Sequence, residues 1–162
     1  MKSLLTLLLS ISLGSCFGQS LPNFDEIKLD QGSDYKSAEA SVLQATNYIL
    51  STPYDKDDAN RLKSLQFVLK WMSGTPDFSF ALDDAIAKII KGNDDLLGVY
   101  MACMTKYCLE NKDSAKDAKL VKLNSVKLLL AYCENENNKM KMTKQLKRLS
   151  EANKKGELEK EL

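Results

Sequence analysis

Apolar residues recur every three or four positions through most of this chain, the spacing that lines one face of a helix. No segment alternates apolar and polar residues between two turn signals, as a half-buried strand would. The pattern predicts six helices. The first runs from about Asp34 to Leu50, with Tyr35, Ala38, Val42, Ala45 and Ile49 on one stripe, and Thr52-Pro53 stops it. Asp55 is the expected cap of the second, with Asp57 and Asp58 in its first turn. That helix carries Leu62, Leu65, Leu69 and Met72 on one stripe and Phe67 and Trp71 on another, and ends at Gly74-Thr75-Pro76. The third covers Ser79 to Lys91, burying Leu82, Ile86, Ile89 and Ile90, and closes at Gly92. Asn93 is the expected cap of the fourth. Its two apolar rows are Leu96, Tyr100, Cys103 and Tyr107, and Leu97, Met101, Met104 and Cys108, so it belongs at the centre. The fifth runs from about Ser114 to Glu134, with Leu120, Leu123, Val126, Leu130 and Cys133 inward. The sixth, from about Asn138 to Lys155, has a thin row of Met142, Leu146 and Leu149 with Met140 beside it, and Gly156 ends it.

With only 3 Pro and 7 Gly, few breakers interrupt these segments. The expected fold is all-α: about six helices in antiparallel hairpins, arranged as an irregular helical repeat or an orthogonal bundle. Weak echoes between residues 49–55 and 72–78, and between 106–111 and 131–135, suit stacked hairpins, but the tetratricopeptide consensus is not met. Residues 19–33 read as an extended lead-in pinned by Leu21, Phe24, Ile27 and Leu29. Residues 34–156 read as a single helical domain and 157–162 as a frayed tail.

Ahead of this body the pattern changes. MKSLLTLLLSISLGSCFG opens with Lys2, continues as a ten-residue apolar run from Leu4 to Leu13 and closes on small residues. A bilayer span takes about 20 apolar residues, so residues 1–18 read as an export signal. Two endings fit. Cleavage after Gly18, with small Cys16 and Gly18 before the cut, starts a soluble chain at Gln19, periplasmic or secreted. Alternatively, Leu13-Gly14-Ser15-Cys16 is a lipobox, and lipidated Cys16 tethers the protein to a membrane.

Composition narrows the chemistry. Without residues 1–18, 144 of the 162 residues remain, one domain by length, able to bury about two-thirds of its unfolded surface. There is no histidine. That removes Ser-His-Asp and Cys-His nucleophilic sites, and also His-ligated zinc and haem. A histidine-free enzyme would need paired carboxylates or a Ser-Lys pair, and Lys63-Ser64 lacks the Ser-x-x-Lys context. Asp57-Asp58, Asp83-Asp84 and Asp94-Asp95 are adjacent pairs that point about 100° apart on a helix, so they do not converge on a proton or a metal. No catalytic residue, cofactor or metal site is expected. Beyond Cys16, the cysteines are Cys103, Cys108 and Cys133. Cys103 and Cys108 sit about 140° apart around one helix and do not pair with each other. Either can meet Cys133, or all three serve as small buried apolar groups.

The formal net charge of +1 gives no general pull on nucleic acid, and none is expected as a partner. Its distribution is more informative. Residues 19–99 carry 13 acids and 8 bases, and residues 100–162 carry 9 acids and 14 bases. The halves attract one another or present a dipolar surface. The last helix holds Lys139, Lys141, Lys144, Lys147, Arg148, Lys154 and Lys155 against the lone acid Glu151. Its candidate partner-binding face is Lys141, Lys144, Lys147 and Arg148, suited to an acidic envelope protein or peptide, or to anionic lipid. Membrane contact is thus expected only through this helix or through lipidated Cys16. Phe67, Trp71, Phe78 and Phe80 line a groove or pack the core.

LKSLQFVLKWMSGTPDFSF, GNDDLLGVYMACMTKYCLENK and MTKQLKRLSEANKKGELEKEL resemble segments of a group of small exported helical proteins of gram-negative bacteria, across most of residues 60–162. The resemblance implies export and an all-helical fold, and it carries over no catalytic residue. The first functional reading is a non-enzymatic exported interaction module. The alternatives are an envelope lipoprotein with a structural role, held by Cys16, and a histidine-free enzyme.

Overall fold

The computed structural model describes residues 20–162. The leader, Cys16 and the two cleavage points lie outside the described residues. Among those described, all regular structure is helical: α1 (Gly32–Ser51), α2 (Ala59–Gly74), α3 (Asp84–Ile90), α4 (Asp95–Glu110), α5 (Ala118–Glu134) and α6 (Lys144–Lys154), with single 3₁₀ turns at Phe24–Glu26, Glu136–Asn138 and Leu158–Glu161. No helix among them is long and apolar enough to cross a membrane.

Helix α1 begins at Gly32, slightly before its expected start, and the other five helices begin later than periodicity suggests. Asp58, not Asp55, caps α2, accepting from the N–H groups of Asn60 at 2.9 Å and Arg61 at 3.2 Å. Asp55 instead closes a turn by accepting from Asp57 N–H. Before that turn, Tyr54 N–H donates to Asn138 O at 2.9 Å, which fastens the loop to the 3₁₀ turn after α5. Residues 79–83 are not helical. Phe78 and Phe80 both lie against Trp71, with ring centroids 5.6 and 6.1 Å from it. Two neighbours two positions apart on one side is the spacing of extended chain. Helix α3 therefore starts at Asp84, capped by Asp83, and Leu82 is 47% exposed rather than buried.

Asn93 does not cap α4; its side chain donates to Met140 Sδ, and Asp94 takes the cap position. Helix α5 starts at Ala118 under an Asp117 cap, with Leu120 turned out at 40% exposure. Helix α6 starts at Lys144, capped by Thr143. Asn138 lies in a 3₁₀ turn where it donates to Tyr132 O, and Lys139 follows in the left-handed region at φ 56°, which breaks the helix expected there. Gly92 and Gly156, at φ 79° and 72°, end α3 and α6 as the sequence predicts.

Helix α4 is central, touching α1, α2, α3 and α5. One apolar cluster joins α1 and α2 through Val42, Ala45, Ile49, Phe67, Val68 and Trp71. Leu29 belongs to it, and Phe24 and Ile27 pack against it, so three of the four expected residues pin the lead-in and Leu21 lies outside the cluster, with Phe24 stacking on Phe67 at 4.6 Å. The other cluster joins α3 to α6 and contains Leu96, Tyr100, Leu129, Leu130, Leu146 and Leu149. The tail does not fray: Leu158 is 2% exposed, Leu162 packs on this second cluster and Glu161 pairs with Arg148 at 3.0 Å. Glu39–Lys112 and Asp83–Lys122 pairs join acidic first half to basic second half.

Candidate functional site

At 100° per residue, Lys144, Lys147, Arg148, Lys154 and Lys155 fall within about 120° of the α6 circumference. All five are exposed, with Glu151 between them. Leu146, Leu149 and Ala152 occupy the opposite side and are buried. The helix therefore has an apolar face turned into the core, which leaves a charged stripe for any partner. Interfacial membrane helices bury their apolar face in lipid, and here that face is already occupied. Arg148 and Lys154 make exposed ion pairs with Glu161 and Glu151, of a kind worth about 0–1 kcal/mol and readily exchanged for another acid. Lys141 is exposed but precedes the Thr143 cap, so it flanks the stripe rather than sharing the helix with Lys144, Lys147 and Arg148.

Lys147 and Lys154 also form one wall of an open groove of about 750 Å³ against the end of α5, opposite Glu134 and Glu136. Ser150 Oγ donates to Glu134 across the helix pair. Met140, Met142 and Cys133 line the same groove. Burial, with the neighbouring Glu134 charge, pushes the Cys133 thiol up to about 12. Burial likewise raises Cys108 to about 11 and Cys103 further still. All three are free and buried, and they pack as apolar groups. Among the described residues no three Cys, Asp or Glu side chains form a group that could hold a metal ion.

Two further features go unnoticed in the sequence pattern. Arg61 is 5% exposed. Its Nη1 donates to Ile49 O at 2.8 Å, at the carbonyl end of α1, where a cation is favoured by the helix dipole. Tyr54 and Tyr132 rings flank the guanidinium at 5.2 and 5.6 Å. The Tyr132 hydroxyl donates to Thr52 O, so this cluster joins the α1–α2 hairpin to α5. Arg61 shares the buried face of α2 with Ser64, Val68 and Trp71. A lone arginine at that spacing was the available signal.

The second feature is a cavity of about 410 Å³ between the extended segment 76–81, α4 and the start of α5. Phe78, Tyr100, Met104 and Val121 supply apolar surface, and Lys116 and Lys122 supply charge. Phe67 and Trp71 line no groove with Phe78 and Phe80. Trp71 is fully buried and its Nε1 donates to Tyr35 O at 2.8 Å. The chain matches no protein-family model, no curated protein and no solved structure.

Proposed function

We propose that this chain is an exported, non-enzymatic helical module that engages an acidic protein or peptide through the solvent stripe of α6. The observation that supports this best is that five cations share one exposed face while the apolar face of the same helix is packed into the core. A stripe so composed recognises charge rather than an apolar surface. The absence of histidine supports binding over catalysis, and the resemblance in residues 60–162 and the leader pattern support export.

The test is fluorescence anisotropy with a labelled Glu-rich peptide. The unlabelled stripe should bind it at low salt and release it at about 0.5 M salt, where screening shortens to a few Å. The K144A/K147A/R148A variant should bind at least about tenfold more weakly with unchanged thermal stability. Equal binding by the variant removes α6 from the proposal.

The lipobox sequence Leu13-Gly14-Ser15-Cys16 supports a second reading, an envelope lipoprotein with a structural role. Intact mass of the exported protein separates the two. A start at Gln19 eliminates the lipoprotein, and an acylated Cys16 eliminates the soluble form.

A further inference from the structure

We propose that the cavity between residues 76–81, α4 and α5 is a binding site for a small amphiphile with an apolar body and a carboxylate head. Its volume of about 410 Å³ lies in the range of small-molecule sites, which are mostly apolar with a few placed polar groups. Phe78, Tyr100, Met104 and Val121 match that description as the apolar surface.

The polar groups choose the head. Tyr100 is 1% exposed, and its hydroxyl makes no hydrogen bond to another described residue. The hydroxyl is open to the cavity that Tyr100 lines, where it can donate to an incoming acceptor. Burial, with the nearby Asp83 charge, pushes the phenol well above its ordinary value, so it remains a donor. Of the two lining ammonium groups, Lys122 is engaged by Asp83 at 2.9 Å and by Leu162 O at 2.8 Å. Lys116 makes no ion pair with another described residue and is exposed at the lining. Two donors, one neutral and buried, one charged and exposed, suit a carboxylate head. Asp77 also lines the cavity but is exposed to solvent, which screens it.

This site is separate from the α6 stripe, and the two proposals stand or fall independently. The probe is decanoate, titrated below its micelle concentration into ¹⁵N-labelled protein, with decanol as the uncharged control of equal length. Decanoate should shift amide resonances around Phe78, Tyr100 and Val121 saturably, and decanol should bind about tenfold more weakly. Ala118 lines the cavity from the exposed first turn of α5, so A118W should fill the space and abolish both titrations. Y100F keeps the volume, and K116A lies at the surface. Each should weaken decanoate several-fold and leave decanol unchanged, and the K144A/K147A/R148A variant should bind like the native chain. Absent or unsaturable shifts overturn the proposal, as does native-like binding by a folded A118W. If A118W does not fold, Y100F and K116A decide: unaltered decanoate binding by both overturns the site. Equal affinity for decanol overturns the carboxylate assignment.

Discussion

The α1–α2 hairpin and the half built by α3 to α6 bury their helices in different ways. The hairpin sets small residues against large ones: Ala38, Val42 and Ala45 on α1 share a cluster with Phe67, Val68 and Trp71 on α2. Its largest ring is fastened by a hydrogen bond from Trp71 Nε1 to Tyr35 O, and the Tyr35 hydroxyl donates in turn to Leu29 O at 3.1 Å. The second half packs mainly Leu, Ile, Val, Met and Cys around Tyr100 and Tyr132, and its helices are joined by turns at 91–94 and 111–117 and by a 3₁₀ turn with extended residues before α6. Both larger cavities and the exposed cationic stripe belong to this half. The hairpin packs around an anchored aromatic, while the second half borders the larger open spaces and carries the exposed cationic surface. Binding surface and stiff framework are thus separated along the chain.

The sharpest challenge to this contrast is W71A. It should cost about 3–5 kcal/mol, the range for a fully buried large aromatic, in urea unfolding. M140A, at a site 8% exposed beside an open groove, should cost clearly less. Equal losses would mean that the halves are anchored alike. Next is R61A, at the joint between them. It removes a charged hydrogen bond to Ile49 O and two ring contacts, and should cost about 2–3 kcal/mol. R61K should recover little, because a lysine lacks the planar fork that fits between two rings.

A smaller effect is expected for G74A. A Cβ there would lie 2.0 Å from the Tyr35 hydroxyl oxygen, so the tyrosine must give up its Leu29 contact. Overpacking outweighs the gain in helix propensity, for a net loss of about 1–2 kcal/mol in thermal unfolding; a neutral result would show the hairpin looser than its packing implies. The smallest concerns pH. The Lys122 ammonium donating to Asp83 holds its carboxyl below the ordinary value of 3.8 against the effect of burial, with help from backbone N–H groups of Ile86 and Ala85. A folded-state value below the unfolded one stabilises above pH 3.8, and that contribution fades as pH falls from there towards the folded value. D83N should therefore be slightly less stable than the native chain at pH 6 and converge with it in acid. A constant difference across that range would show that Asp83 acts through its α3 cap alone.

Much of the helical content was legible because its signals are local. The stripe Ala38, Val42, Ala45 and Ile49 is buried as its spacing implies. The expectation for α2 fails at its start, because Asp55, Asp57 and Asp58 are equivalent as caps by type, and the Tyr54–Asn138 bond that selects Asp58 joins residues far apart in sequence. Leu82 and Leu120 fit inward rows by periodicity and yet point out, since a period says which residues share a face but not where the helix begins. For the cationic face, Lys144, Lys147 and Arg148 were identifiable from spacing, while Lys141 was displaced from the helix by the left-handed turn at Lys139.

Residue order and composition were enough for an all-helical chain, for its glycine stops at Gly92 and Gly156, and for the removal of histidine chemistry, because propensity, capping and side-chain inventory act within a few residues. The burial of Arg61 between two tyrosines, the extended run through Phe78 and Phe80, the docked tail and the cavity beside Tyr100 required the folded molecule. Each depends on surfaces brought together from distant parts of the chain, and no local pattern encodes that meeting.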